Sequence, residues 1–128
     1  MILGLGHDIL EIDRIGRLLD GKSRDRYLQR ILTPRELALL QQYESRSLEW
    51  VAGRFAAKEA VVKAFGCGIG SVLGFQDIEV LPAESGKPYV ELSLAGWERL
   101  GLEAEHTRIH ISISHQPHIA SAVCVVEQ

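Results

Sequence analysis

Arg54-Phe55-Ala56-Ala57-Lys58-Glu59-Ala60-Val61-Val62-Lys63-Ala64 lies inside an alanine-rich run from Leu48 to Phe65 that reads as one long helix, about 27 Å by its rise per residue. Gly66-Cys67-Gly68-Ile69-Gly70 stops it. At about 100° per residue, Glu59 falls within about 40° of Phe55 and near Leu48 and Val62, on an apolar stripe where a carboxylate requires a partner. Lys63, one turn on at i+4, would supply one, and a metal ion would supply another; a helix rotated to turn Glu59 toward solvent would need neither.

Working outward, Ile2 to Leu5 reads as a short apolar strand, and Asp8-Ile9-Leu10-Glu11 as a capping box opening a helix with Ile12, Ile15, Leu18 and Leu19 inward. The chain is expected to turn between Leu19 and Arg24. Thr33-Pro34-Arg35-Glu36 carries the cap, proline and glutamate of a second helix start, running to about Tyr43 before a polar break at Glu44 to Ser47. Beyond the long helix the pattern becomes alternating. Ile78 to Leu81 and Tyr89 to Leu94 predict a hairpin, Ala95 to Leu102 a short helix, and Ile109 to Ser114 and Ala120 to Val126 two more strands. The order βαααββαββ predicts an α+β fold, with an antiparallel sheet packed on the long central helix, in a single domain over residues 1–128.

The chain has 128 residues, 46% hydrophobic and 24% charged, the composition of an ordinary globular protein. No apolar run approaches the roughly 18 residues of a membrane helix, and the amino terminus lacks the basic start and cleavage site of a signal peptide, so a cytoplasmic location is expected. Cys67 and Cys124 have no zinc or redox spacing and read as free thiols. From Arg14 to Arg35, seven basic residues stand against Asp20 and Asp25, a local charge of +5 in a chain whose net charge is −3 and whose remainder is therefore −8. Such asymmetry suits an anionic partner, or simply a solvated helix face.

Asp8 offers a second carboxylate beside Glu59, with helix capping as its simpler role. Two carboxylates without histidine or cysteine ligands suit a hard cation such as Mg²⁺, which takes further ligands from substrate phosphates. Gly66, Gly68 and Gly70 would let backbone amides approach a phosphate, with Lys63 beside them as a point charge. These glycines follow a helix rather than a strand, so neither a dinucleotide fingerprint nor a P-loop is present, and Gly66 also serves as a helix stop. Ser114-His115 lacks a nucleophile elbow, which argues against covalent serine catalysis and leaves His115 as a surface residue or a phosphate contact. His110 reads as structural.

Together these stretches resemble the holo-acyl-carrier-protein synthase family of small phosphopantetheinyl transferases. The resemblance is carried by Gly4-Leu5-Gly6-His7-Asp8-Ile9-Leu10-Glu11-Ile12 with Arg14, by Arg30-Ile31-Leu32-Thr33, and by Gly53-Arg54-Phe55-Ala56-Ala57-Lys58-Glu59-Ala60 with Lys63-Ala64. It continues through Gly66 to Gly70, Phe75 to Val80, Gly86-Lys87-Pro88 and Ile111 to His115.

The resemblance implies the phosphopantetheinyl transferase fold and an enzyme that moves 4′-phosphopantetheine from coenzyme A to a serine of apo-acyl carrier protein, releasing adenosine 3′,5′-bisphosphate. It implies Mg²⁺ held by Asp8 and Glu59, Lys63 as the catalytic lysine, and a coenzyme-phosphate region of Arg54, Lys63, the turn from Gly66 to Gly70, and His115. It also implies a homotrimer with coenzyme A between neighbouring subunits. Arg14, Arg17, Arg24 and Arg26 would receive the acidic carrier protein. Two rival readings are a Mg²⁺-dependent hydrolase of a nucleoside diphosphate derivative and a non-enzymatic nucleic-acid-binding module. Overall acidity, 6% aromatic content and the absence of a recognition motif weigh against the second.

Overall fold

The computed structural model describes residues 1–128. Strand β1 (Ile2–Glu11) leads into helices α1 (Ile12–Leu19), α2 (Arg24–Ile31) and α3 (Pro34–Leu40). A 3₁₀ stretch (Gln41–Arg46) then opens into the long helix α4 (Ser47–Phe65). The hairpin β2 (Ile78–Pro82) and β3 (Pro88–Leu92), helix α5 (Leu94–Leu100) and strands β4 (Arg108–His115) and β5 (Ile119–Glu127) complete the α+β architecture. The antiparallel pairing divides into a three-stranded sheet, β1-β5-β4, and the separate β2-β3 ladder. No helix is long and apolar enough to cross a membrane.

Helix α4 is the central element because small residues line several of its faces. Val51, Ala52, Ala56, Ala57, Ala60, Val61 and Val62 are all fully buried, some under the three-stranded sheet and others under α1, α3 and β2. Gly66, at φ 75°, ends it as expected, its N–H turning back to the Lys63 carbonyl. Thr33 and Glu36 form both halves of the expected capping box at α3. The hairpin, β4 and β5 lie within a residue or two of their expected bounds.

Three expectations fail. Asp8 does not cap a helix: β1 continues to Glu11, paired in register with β5 from Leu5↔Val125 to Glu11↔Ile119, and this long-range ladder prevails over a local cap. Leu18 is exposed, whereas Ile12, Ile15 and Leu19 are buried. Helix α2 is an element beyond the expected order; it buries only Leu28 and Ile31, too little for a periodic pattern.

Candidate active site

Alternation along β1 turns Gly4, Gly6, Asp8 and Leu10 toward α4 and leaves Leu3, Leu5, His7 and Ile9 exposed on the other face. The two glycines let the strand lie directly on the helix. A Cβ on Gly6 would fall 1.9 Å from the Ala60 carbonyl oxygen, and one on Gly4 would fall 1.8 Å from that of Ala64. Asp8 follows on the same face and thereby meets Lys63, whose Nζ donates to Asp8 Oδ1 at 3.0 Å and to the His7 carbonyl at 3.1 Å.

Glu59 is half-buried, and of the partners open to it in the sequence Lys63 is engaged elsewhere. Lys63 reaches across to β1 instead of back along its own helix, where one position satisfies both a carboxylate and a backbone carbonyl. Burial, and after it the negative charge of Asp8, raises the Glu59 carboxyl above its ordinary value, while Lys63 opposes the shift. Glu59 makes no ion pair, and Asp8 keeps one oxygen outside its bond to Lys63. Two carboxylates that repel each other, one of them unpaired, fit a hard divalent cation such as Mg²⁺ by donor type and charge. His7 lies outside this donor set; its ring bonds Ser121 Oγ on the opposite face. A separate group, Glu103, Glu105 and His106, is wholly exposed, its ligand atoms within 4.8 Å of one another.

The turn after Lys63 carries Gly66 and Gly68 at positive φ, and a Cβ on Gly66, Gly68 or Gly70 would meet nothing. Its far end is pinned: Asp77 accepts from Gly74 N at 2.8 Å and from Arg99 at 2.7 Å, while Arg99 Nε holds the Val72 carbonyl. Burial alone would raise the Asp77 carboxyl, but hydrogen bonds from Ser93, Gly74 and Arg99 outweigh it and lower the pKa.

Arg54 and His115 line a second site, a cavity of about 110 Å³ shared with Tyr43, Arg46, Glu49 and Trp50. The Arg54 guanidinium lies 4.3 Å from the centre of the Trp50 ring, and its buried Nε has no hydrogen-bond partner. Desolvation lowers its pKa, against the opposing charge of Glu36. His115 Nδ1 is 3.7 Å from Glu49 Oε2 and does not engage Ser114. Arg46, over the Tyr43 ring, is a cation the sequence reading missed, because it falls in a stretch read as a polar break. Arg54 precedes Glu59 by five residues, about 140° around α4 and about 7.5 Å along it. One chain therefore presents the carboxylates and the arginine cavity on different faces of one helix.

Of the expected docking arginines, Arg14, Arg17 and Arg26 are exposed on α1 and α2. Arg24 is half-buried and donates to the Leu19 carbonyl at 3.4 Å, near the carboxyl end of α1.

The family model of the 4′-phosphopantetheinyl transferase superfamily matches residues 4–125. The chain belongs to that family. Its relatives include a holo-[acyl-carrier-protein] synthase of Anoxybacillus flavithermus, 43% identical over all of this chain and 98% of the other. Among solved structures, the holo-(acyl-carrier-protein) synthase of Bacillus anthracis in complex with CoA (3′,5′-ADP) superposes with a TM-score of 0.84 at 41% identity, over all of this chain and 98% of that one. The Neisseria meningitidis synthase gives 0.87 at 35% identity over the whole of both chains. Family membership makes the chain a transferase and sets aside the nucleic-acid-binding module.

Proposed function

We propose that this transferase acts in the cytoplasm as a holo-acyl-carrier-protein synthase, moving 4′-phosphopantetheine from coenzyme A to a serine of an apo-acyl carrier protein. The observation that carries the site assignment is the meeting of Asp8, Glu59 and Lys63 where β1 crosses α4. In the reaction the serine oxygen bonds to the pantetheine-side phosphorus as the bond from that phosphorus to adenosine 3′,5′-bisphosphate breaks. Asp8 and Glu59 would hold Mg²⁺, which when bound neutralises charge on the coenzyme diphosphate. Lys63, steadied by the His7 carbonyl and Asp8, is placed to hold phosphate oxygens through the transition state. Glu59 is the candidate base for the serine proton. In the Gly66 to Gly70 turn the amides of Gly66, Cys67 and Gly70 already donate to carbonyls, which leaves those of Gly68 and Ile69 for a phosphate, and Arg54 with the ring of His115 would meet the coenzyme's remaining phosphate.

The single-domain chain would work as a homotrimer. Support comes from the outer face of the three-stranded sheet, where Leu5 is 66% and Ile9 60% exposed beside Val123 and Ile119. A coenzyme that touches both the carboxylates and the arginine cavity, which lie on different faces of α4, would span two subunits. Arg14, Arg17, Arg24 and Arg26 would steer the acidic carrier protein.

Release of adenosine 3′,5′-bisphosphate from coenzyme A, followed with and without apo-carrier, tests the reaction. Release that requires the carrier supports transfer. Equal release in its absence would establish the hydrolase reading instead.

A further inference from the structure

Two charges are fully buried in the protein, Glu36 and Lys58, the latter the neighbour of Glu59. The two side chains stand 2.6 Å apart. The ammonium has three N–H donors and three acceptors: Glu36 Oε1 at 2.6 Å, the Ile31 carbonyl at 2.6 Å and the Phe75 carbonyl at 3.0 Å. Glu36 also accepts from Thr33 N and Val80 N, so the pair joins α2, α3, α4 and β2 at one point.

Gln76 completes the arrangement from the surface. Its amide nitrogen, with two N–H donors, bonds the carbonyls of Gln29 at 2.8 Å and Leu32 at 2.7 Å, and the Arg30 carbonyl shares one of them at 3.3 Å. Carbonyls 29 to 32 at the carboxyl end of α2 are thus held by two side chains. The last carbonyls of a helix have no partner within it, and water usually serves them where the end is exposed. Here the end of α2 is fastened to α4 and to the turn before β2.

We propose that Lys58 and Gln76 are positioning residues for carrier-protein recognition, locking the carboxyl end of α2 so that the arginines of α1 and α2 stand at a fixed distance from Glu59. This rests on the reading of α1 and α2 as the carrier-binding face. The covalent path from Lys58 to Glu59 is one residue, so the anchor of the docking helix and the reacting centre share one rigid stretch of α4.

The test uses Gln76→Ala and Gln76→Glu, changes at an exposed side chain that leave the core intact, together with the double variant Lys58→Met/Glu36→Gln, which removes both buried charges at once. Steady-state kinetics would be measured against carrier protein and against coenzyme A, alongside hydrogen exchange over residues 28–33. Gln76→Ala should raise the carrier KM roughly fivefold, the net loss expected when water takes over part of the exposed amide's bonds, with kcat and coenzyme KM within about twofold of wild type. Gln76→Glu, which sets a carboxylate against three carbonyl oxygens, should raise it more than roughly tenfold, and the double variant should follow the same pattern. Exchange over residues 28–33 should quicken in all three.

An unchanged carrier KM, or a fall in kcat with both KM values moved alike, would overturn the proposal. A wild type inactive on every carrier would overturn the function reading, whereas unchanged exchange over residues 28–33 in the Gln76 variants would overturn this one.

Discussion

Lys63 Nζ lies 3.0 Å from Asp8 Oδ1, although Glu59 stands one helical turn before it on the same face of α4. The lysine is therefore already engaged by one carboxylate, and the other is left without a partner, its pKa raised by burial and by the charge of Asp8. That asymmetry separates the roles of the three residues.

Asp8→Asn and Glu59→Gln should each lower transfer by at least about a hundredfold while leaving the fold intact, because both side chains lie at the edge of the core. Mg²⁺ should raise the Tm of the wild type and not that of either variant. In EDTA, Glu59→Gln should be the more stable protein at neutral pH. The Glu59 carboxyl is raised in the fold, so its stabilising contribution is present below the ordinary glutamate value near 4.5 and lost as pH rises through the folded value. Melting curves should accordingly separate above that value and converge below it. A wild type that stays the more stable at pH 7 without metal would show that Glu59 is comfortable unpaired.

Gly6→Ala should cost about 1–3 kcal/mol, the range for forcing extra volume into a packed core. The added methyl would meet the Ala60 carbonyl, so β1 must lift from α4 and carry Asp8 away from Lys63. Denaturant melts and kcat would be measured together, and full activity in a destabilised Gly6→Ala protein would contradict the close-approach account.

Reversing charge at Arg14, Arg17 and Arg26 should raise the carrier KM and flatten its dependence on salt, with coenzyme affinity unchanged by calorimetry. Loss of coenzyme affinity would move these residues to the other site.

Leu5→Glu with Ile9→Glu should give monomers by light scattering and abolish transfer. Glu59→Gln and an Arg46→Glu/Arg54→Gln variant should each be inactive alone. Mixed in equal amounts after dissociation and reassembly, they should recover about a quarter of wild-type sites, since each shared site draws one half from each chain. No recovery from well-mixed assemblies would place the whole site within one chain.

Local chemistry was legible in the sequence where the deciding contacts are local. The Thr33-Glu36 box, the Gly66 stop and the alternation of Ile109, Ile111 and Ile113 each depend on residues a few positions apart. Asp8 was misassigned because Asp-x-x-Glu reads equally as a cap or as part of a strand, and the choice is made by β5, more than a hundred residues away. Lys58 was passed over for a related reason. A helix wheel assigns one buried face, but α4 is enclosed on several, so the lysine beside Glu59 is a deeply buried charge. Asp8, Glu59 and Lys63, named together through the family resemblance, do stand together in the fold, with Lys63 on Asp8 rather than on Glu59.

The most direct test of the central claim is the intact mass of an apo-acyl carrier protein incubated with this protein, coenzyme A and Mg²⁺. A gain of about 340 Da, the mass of one phosphopantetheine arm on serine, is predicted for the wild type and should be absent with EDTA or with Glu59→Gln. A carrier whose mass does not change with the wild type, or one that gains the arm equally under both controls, would contradict the account.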